Sequence, residues 1–476
     1  MTDHRPLPPS VTRRPCIRAG LLLFALAAAT VVGRADAPAP ISRAEITEAI
    51  DWAEQKLAIL TRQTLGNNAS RTVSYTSTAG VWTVRNTSVW TSGHLVGLLW
   101  MLYERTGKED WLAAASQWTA GMQSRITATD NDTGFQINCS YGLGLTLGGV
   151  DSAAYRQAIG DAALELVAQR YNSTIGCLRS WPENHNTPTT MPFEVNIDQL
   201  MNLELILYAA AQMERPDLVA ICVSHADRSW QELVRPDGST FHVVEFNAAG
   251  EVVRKRTHQG WRDDSTWSRG QAWAVYGQTM LYRYTGEIRF LERAIACLDY
   301  FLAATAAQSA DGIPYADFDA PVDASNPRDS SAAAIVAAAC MELFSHTGEE
   351  SYRATAARIL ATLHRAYLTK GTAHQAILAA ASEKWGNAEV GAIFGDYYFI
   401  EALSRYLDSL PPPEPEPRTE WAGYPVRDGY YADTGALLGE IYVGFAPWVY
   451  AFAPGQWLYL PEETVSAAGA WSHWPR

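Results

Sequence analysis

The sequence predicts an all-α fold, an (α/α)6 barrel or six-hairpin toroid, with a small inserted β-hairpin and a short β-rich C-terminal module. Three observations predict it. First, one corner pattern recurs at Leu102–Leu112, Leu281–Leu291 and Leu343–Tyr352. Each has a helix end, a glycine (Gly107, Gly286 or Gly348), then an acidic first turn. Glycine supplies the left-handed residue that ends one helix, and acidic residues suit the positive start of the next. Second, periodic apolar segments number twelve: 43–63, 93–106, 109–125, 138–147, 153–171, 197–213, 216–234, 268–285, 287–306, 329–346, 349–368 and 394–409. Third, some of these are apolar on nearly every side, as buried helices are. Segments 197–213, 268–285, 329–346 and 394–409 are the predicted inner helices, and the others wrap around them.

From the N-terminus, residues 1–37 read as an export signal. Arg13, Arg14 and Arg18 precede an uncharged apolar run, Ala19–Val32, and Ala35-Asp36-Ala37 resembles a cleavage site. The run is short for a membrane span. The Arg13-Arg14 pair hints at a twin-arginine route. The mature chain is therefore expected to be exported, periplasmic or extracellular, with no stable membrane span. Residues 38–410 form the predicted helical domain. Within it, Ser239–Phe246 and Glu251–Arg256 have strand content and flank Ala248-Ala249-Gly250, which suggests the hairpin. Residues 411–420 are a proline-rich, stiff linker. Residues 421–476 are rich in Trp, Tyr and Gly and read as a β module. Sugar binding fits that module, and a small aromatic core is the plainer reading.

Composition narrows the function. The 476 residues carry a net charge of −14, which argues against nucleic acid as a partner. No protein partner is evident. Aromatics make up 11%, with 17 Trp, and indole faces stack on the C–H faces of sugars. No Cys or His spacing suggests a metal site, so no metal or cofactor is expected. Cys222, Cys297 and Cys340 sit in apolar helical contexts and are expected to be buried thiols.

Asp198 and Asn202 stand one helical turn apart in an otherwise apolar run, Val195–Leu203. A carboxylate at the start of a buried helix is either a cap or a functional acid. Asp132, before Gly134, is either an Asx turn or a second acid. Ser268 and Gln271 have capping-box spacing, which makes Gln271 structural.

Taken in order, Trp90-Thr91-Ser92-Gly93, Asp132-Thr133-Gly134-Phe135, Arg179-Ser180-Trp181, Ile197–Leu203, Gln259-Gly260, Asp264–Trp273, Pro327–Ala332 and Gly395–Phe399 resemble family 88 of the glycoside hydrolases, the unsaturated glucuronyl hydrolases. The resemblance spans about 45 to 409 and implies the same toroid. It implies an enzyme acting on an oligosaccharide that ends in a 4,5-unsaturated uronic acid. Asp198 would be the proton donor and Asp132 the second acid. His242 and Gln259 would contact the uronate, and Trp90, Trp181, Trp267 and Trp273 would line the pocket. Arg269 would pair with the substrate carboxylate. The pattern departs at Asn131, where many relatives have His. The loop 371–394 is a plausible site for the next sugar, and Lys384 is its one evident cation. The alternatives are an unsaturated rhamnogalacturonyl hydrolase, an α/α-toroid polysaccharide lyase with a Tyr or His base, and a non-catalytic sugar-binding protein.

Overall fold

The computed structural model describes residues 39–128, 130–150, 152–181, 193–411, 417–435, 438–462 and 465. The predicted signal at 1–37 and most of the proline-rich stretch lie outside them. The chain divides into two compact units, Met1–Ser409 and Leu410–Arg476.

The first unit contains all twelve predicted helical segments. They are α1 (Arg43–Ile59), α2 (Ser92–Thr106), α3 (Glu109–Gly121), α4 (Thr133–Ile137) with α5 (Leu143–Thr146), α6 (Ala153–Arg170), α7 (Gln199–Met213), α8 (Pro216–Leu233), α9 (Ser268–Thr285), α10 (Ile288–Gln308), α11 (Ser330–Thr347), α12 (Glu350–Thr362) and α13 (Ile393–Ser409). The fourth segment differs at its start. It starts five residues before the predicted 138, directly after Asp132, and a π-helical turn at Asn138–Gly142 divides it. The three predicted corners are left-handed glycines, with φ of 65° at Gly107, 68° at Gly286 and 72° at Gly348.

Alternate helices form the inner ring. Helix α2 packs on α4, α4 on α7, α7 on α9, α9 on α11, α11 on α13, and α13 returns to α2. The four predicted inner helices are in this ring, and α2 and α4 complete it. Residues Ser330 to Leu343 of α11 are all buried, and their alanines let neighbouring backbones approach closely. The N-terminal turns of the inner helices gather at one end. Their C-terminal halves are tied at the other by charged pairs such as Arg405 with Glu342 and Glu401, each at 3.0 Å.

Short sheets sit between the helices. Strands β1 (Arg71–Thr76) and β2 (Trp82–Asn86) form a hairpin, as do β3 (Tyr171–Asn172) and β4 (Cys177–Leu178). The predicted hairpin is present as β6 (Val243–Phe246) and β7 (Val252–Arg256), and β5 (Phe193–Asn196) joins it as a third strand on the β6 edge. This third strand carries the chain directly into Asp198.

The second unit is a six-stranded antiparallel meander of β8 (Glu420–Trp421), β9 (Tyr424–Arg427), β10 (Tyr431–Asp433), β11 (Glu440–Tyr442), β12 (Trp448–Ala451) and β13 (Gln456–Tyr459). One face carries its core, with Trp421, Ala432, Ile441, Val449 and Ala451 buried. Cys139, Cys177, Cys222, Cys297 and Cys340 are all free and buried.

Candidate active site

Asp198 lies at the junction between β5 and α7. The cap of α7 is supplied by another residue. Asn196 Oδ1 accepts the Gln199 N–H at 3.1 Å and the Ser180 hydroxyl at 2.8 Å. The Asp198 side chain makes no capping bond, although its residue holds the cap position. Its Oδ2 is buried with no hydrogen-bond partner and stands 3.4 Å from His242 Nε2. A buried carboxylate oxygen without a donor costs stability, so its retention points to function.

His242 is buried, not an exposed strand residue. Its Nδ1 accepts two backbone N–H groups, from His258 at 3.2 Å and Gln259 at 3.3 Å. In a neutral imidazole the proton must then sit on Nε2, the atom facing Asp198. The ring stacks on Trp267, with centroids 4.5 Å apart and planes inclined 26°. Trp181 stands beside it, 5.3 Å from the His258 ring.

Asp132 begins α4 and also makes no side-chain cap. The Asx turn here belongs to Asp130, whose Oδ1 accepts the Asp132 N–H at 3.1 Å. The Asp132 carboxyl instead meets Asn202, whose amide donates to Oδ1 at 3.1 Å. The Asn202 carbonyl accepts the Phe135 N–H at 3.0 Å, so one amide clamps both ends of this turn. The approach requires glycine at 134, since a Cβ there would lie 2.4 Å from Asn202 Cα. Burial drives the Asp132 pKa well above the usual carboxylate range. The Asp130 and Asp198 charges add to the rise, while the Asn202 bond and Arg170 oppose it.

The remaining expected residues divide. Trp90 stands against Phe394 at 4.9 Å and Phe135 at 5.6 Å, at the rim of the same end. Trp273 is 1% exposed and reaches the site only by packing under Phe135. Arg269, in the first turn of α9, is held by neighbouring loops. Its buried guanidinium bonds Asp329 at 2.7 Å, the Glu383 carbonyl at 2.7 Å and the Ser382 carbonyl. Those bonds pin the loop after α12 to the cap of α11. The Gln259 side-chain amide donates to the Glu383 carbonyl at 2.8 Å. Its backbone N–H also reaches His242 Nδ1, at 3.3 Å. The capping box at Ser268 is absent. The Ser268 hydroxyl donates to the Ala316 carbonyl, and Gln271 instead bonds the Gly238 and Cys297 carbonyls. Gln271 is structural, by a different route.

A family model, Glycosyl Hydrolase Family 88, matches residues 61–403. The chain belongs to this family. An unsaturated glucuronyl hydrolase from Formosa agariphila is 40% identical over 324 residues, 66% of this chain and 79% of its own length. Another from Bacillus sp. strain GL1 is 33% identical over 334 residues, 66% of this chain and 85% of its own. A solved structure described as an unsaturated glucuronyl hydrolase specific for heparin superposes with a TM-score of 0.71 at 30% identity, covering 77% of this chain and 98% of that one.

In this family 88 glycoside hydrolase the structure adds Asp130, Arg170 and His258 to the site, and it gives Asn202, already singled out beside Asp198, its partner in Asp132. Asn202 had a visible signal, its one-turn spacing from Asp198. Arg170 had none, since it ends a distant helix. A cavity of about 280 Å³ inside the ring is lined by Gly134 and Phe135 and by the charged residues Glu204, Arg283, Glu401 and Arg405. Asp198, His242 and Trp267 do not line it.

Proposed function

We propose that the enzyme removes the 4,5-unsaturated uronic acid from the non-reducing end of lyase-generated oligosaccharides. The reaction is acid-catalysed hydration of the enol ether. The observation that carries this is the unpartnered Asp198 oxygen, aimed at the Nε2–H side of His242 with Asp132 in the same site.

In this scheme Asp198 gives its proton to C4 of the sugar. Positive charge develops at C5 and the ring oxygen. Water adds at C5 and returns a proton to Asp198. The hemiketal opens, and the resulting hemiacetal at C1 expels the rest of the chain. Asp132 keeps its own proton to higher pH than an ordinary carboxyl. It is therefore suited to donating a hydrogen bond to a sugar hydroxyl or to the water, and less suited to supplying negative charge. The N-terminal turns of the inner helices present partial positive charge to the uronate, and His242 Nε2–H adds a donor. The rings of Trp181 and Trp267 shape the apolar wall.

The tautomer of His242 weighs against a polysaccharide lyase. With Nδ1 occupied as an acceptor and Nε2 protonated, this imidazole has no lone pair free for proton abstraction. The names of the relatives favour a glucuronyl over a rhamnogalacturonyl substrate. Incubation with lyase-generated disaccharides tests the reading. The near-ultraviolet band of the double bond should vanish as the leaving sugar is released. A rise in that band would mean a lyase, and no change would mean a binding protein.

The N-terminal composition supports export of the mature enzyme. Mass spectrometry of the protein from periplasmic and extracellular fractions should give a new N-terminus near residue 38. A full-length chain confined to the cytoplasm would overturn export.

A further inference from the structure

The second unit presents an aromatic row that the hydrolase reaction does not use. Cross-strand partners run Tyr431 to Tyr442, Tyr442 to Tyr450 and Tyr450 to Trp457, one from each of β10, β11, β12 and β13. Direct cross-strand partners share a face. The alternate residues Ala432, Ile441, Val449 and Ala451 are buried on the other face, so the row looks outward. A second pair, Trp448 opposite Tyr459, extends it on the same face. Trp448, Trp457 and Tyr459 are open to solvent, at 52%, 47% and 55% exposed, and Tyr431, Tyr442 and Tyr450 are half-buried between them. Folding does not require such exposure, because the core of this unit is already on the opposite face.

The spacing and charge select a ligand. Adjacent strands lie about 4.8 Å apart, so four rings span about 14 Å in steps close to the length of one pyranose unit. Sugar rings present C–H faces to aromatic rings, and tyrosine hydroxyls at the edges can bond sugar hydroxyls. The described part of this unit holds two arginines, Arg418 and Arg427, against five carboxylates. Both arginines are already paired, Arg418 with Glu462 and Arg427 with Glu440. An acidic polymer would meet repulsion and, among the described residues, no free cation. An uncharged one would meet a neutral aromatic strip.

We propose that this face binds an extended, uncharged polysaccharide laid across β10 to β13. The enzyme would thereby be held on a neutral matrix glycan while the helical unit acts on soluble acidic fragments.

The test is sedimentation of the full-length protein with phosphoric-acid-swollen cellulose, insoluble β-1,3-glucan and agarose, and with calcium alginate as the acidic control. Retention is expected on at least one of the three neutral polymers and should persist in high salt. Tyr450→Ala with Trp457→Ala should weaken it by at least about tenfold. Turnover of a soluble unsaturated disaccharide should not change. If the double variant loses its fold, Trp457→Ala alone should weaken retention and Trp457→Phe should restore it. Retention on none of the neutral polymers would overturn the proposal. So would retention on alginate alone, or equal retention of the ring-deleted variants.

Discussion

Asp198→Asn preserves the side-chain shape, and the cap of α7 is left intact because it belongs to Asn196. What is lost is the proton. General acid catalysis is typically worth about 10²–10⁴-fold, so kcat should fall by at least about that factor while the melting temperature holds. Near-normal kcat in the folded variant would remove Asp198 from the acid role. Asp130→Asn tests the second acid through pH. The Asp130 charge raises the Asp132 pKa, so its removal lets Asp132 lose its proton at lower pH. If the protonated form is the active one, the alkaline limb of kcat/KM moves to lower pH. Asn202→Ala removes a bond that stabilises the charged form, so its alkaline limb should move to higher pH. Shifts of the same sign in both variants would contradict this assignment. Enol-ether protonation asks for a Brønsted acid, and chelation should leave turnover unchanged. Activity lost to a chelator and restored by a divalent ion would contradict that expectation.

At the scale of elements, the site is a set of helix starts held by polar pins. Asp396 in α13 is one of them, accepting the N–H groups of Ile377 at 3.0 Å and Leu378 at 2.8 Å. Burial pushes its pKa up to about 7. The sign follows directly. Between the ordinary carboxylate range and about pH 7, the folded chain holds a proton on Asp396 that the unfolded chain has released. This part of the stability is present at low pH and is lost as pH rises to about 7. Its slope is at most about 1.4 kcal/mol per pH unit. Denaturant titrations from pH 4 to 8 should find it in the wild type and find it missing in Asp396→Asn. Parallel curves would show that Asp396 does not titrate in this window.

The same elements mark what a sequence can say. Helix existence was legible because buried faces impose a period and glycine corners end helices with a left-handed residue. The start of α4 was not, because five residues after Asp132 are too few to display a period before the π turn interrupts them. Pins such as Arg269 to Asp329 join residues far apart in the chain, and only the closed ring reveals that the arginine is already engaged. Likewise, the cap at Asn196 precedes the helix by three residues and was masked by the acid nearer to it.

On the scale of the whole molecule, the two units divide the work. Every residue assigned to the site lies before 397, and the family match ends at 403. A chain ending at Leu410 should therefore keep the kcat and KM of the full protein on unsaturated disaccharides. Loss of turnover in a truncated protein whose helical unit remains folded would mean that the second unit completes the active site. The proposed export fits this division, since an exported enzyme would meet the soluble fragments that a lyase releases.

The order of events at the double bond tests the proposed reaction most directly. In a C-glycosidic analogue of the unsaturated disaccharide, carbon replaces the glycosidic oxygen and no leaving group can depart. Hydration precedes cleavage in the scheme above, so the wild-type enzyme should still abolish the near-ultraviolet band of this analogue, and Asp198→Asn should not. If the band persists while the ordinary O-linked disaccharide is cleaved, attack occurs at the anomeric carbon and hydration of the enol ether is not the reaction.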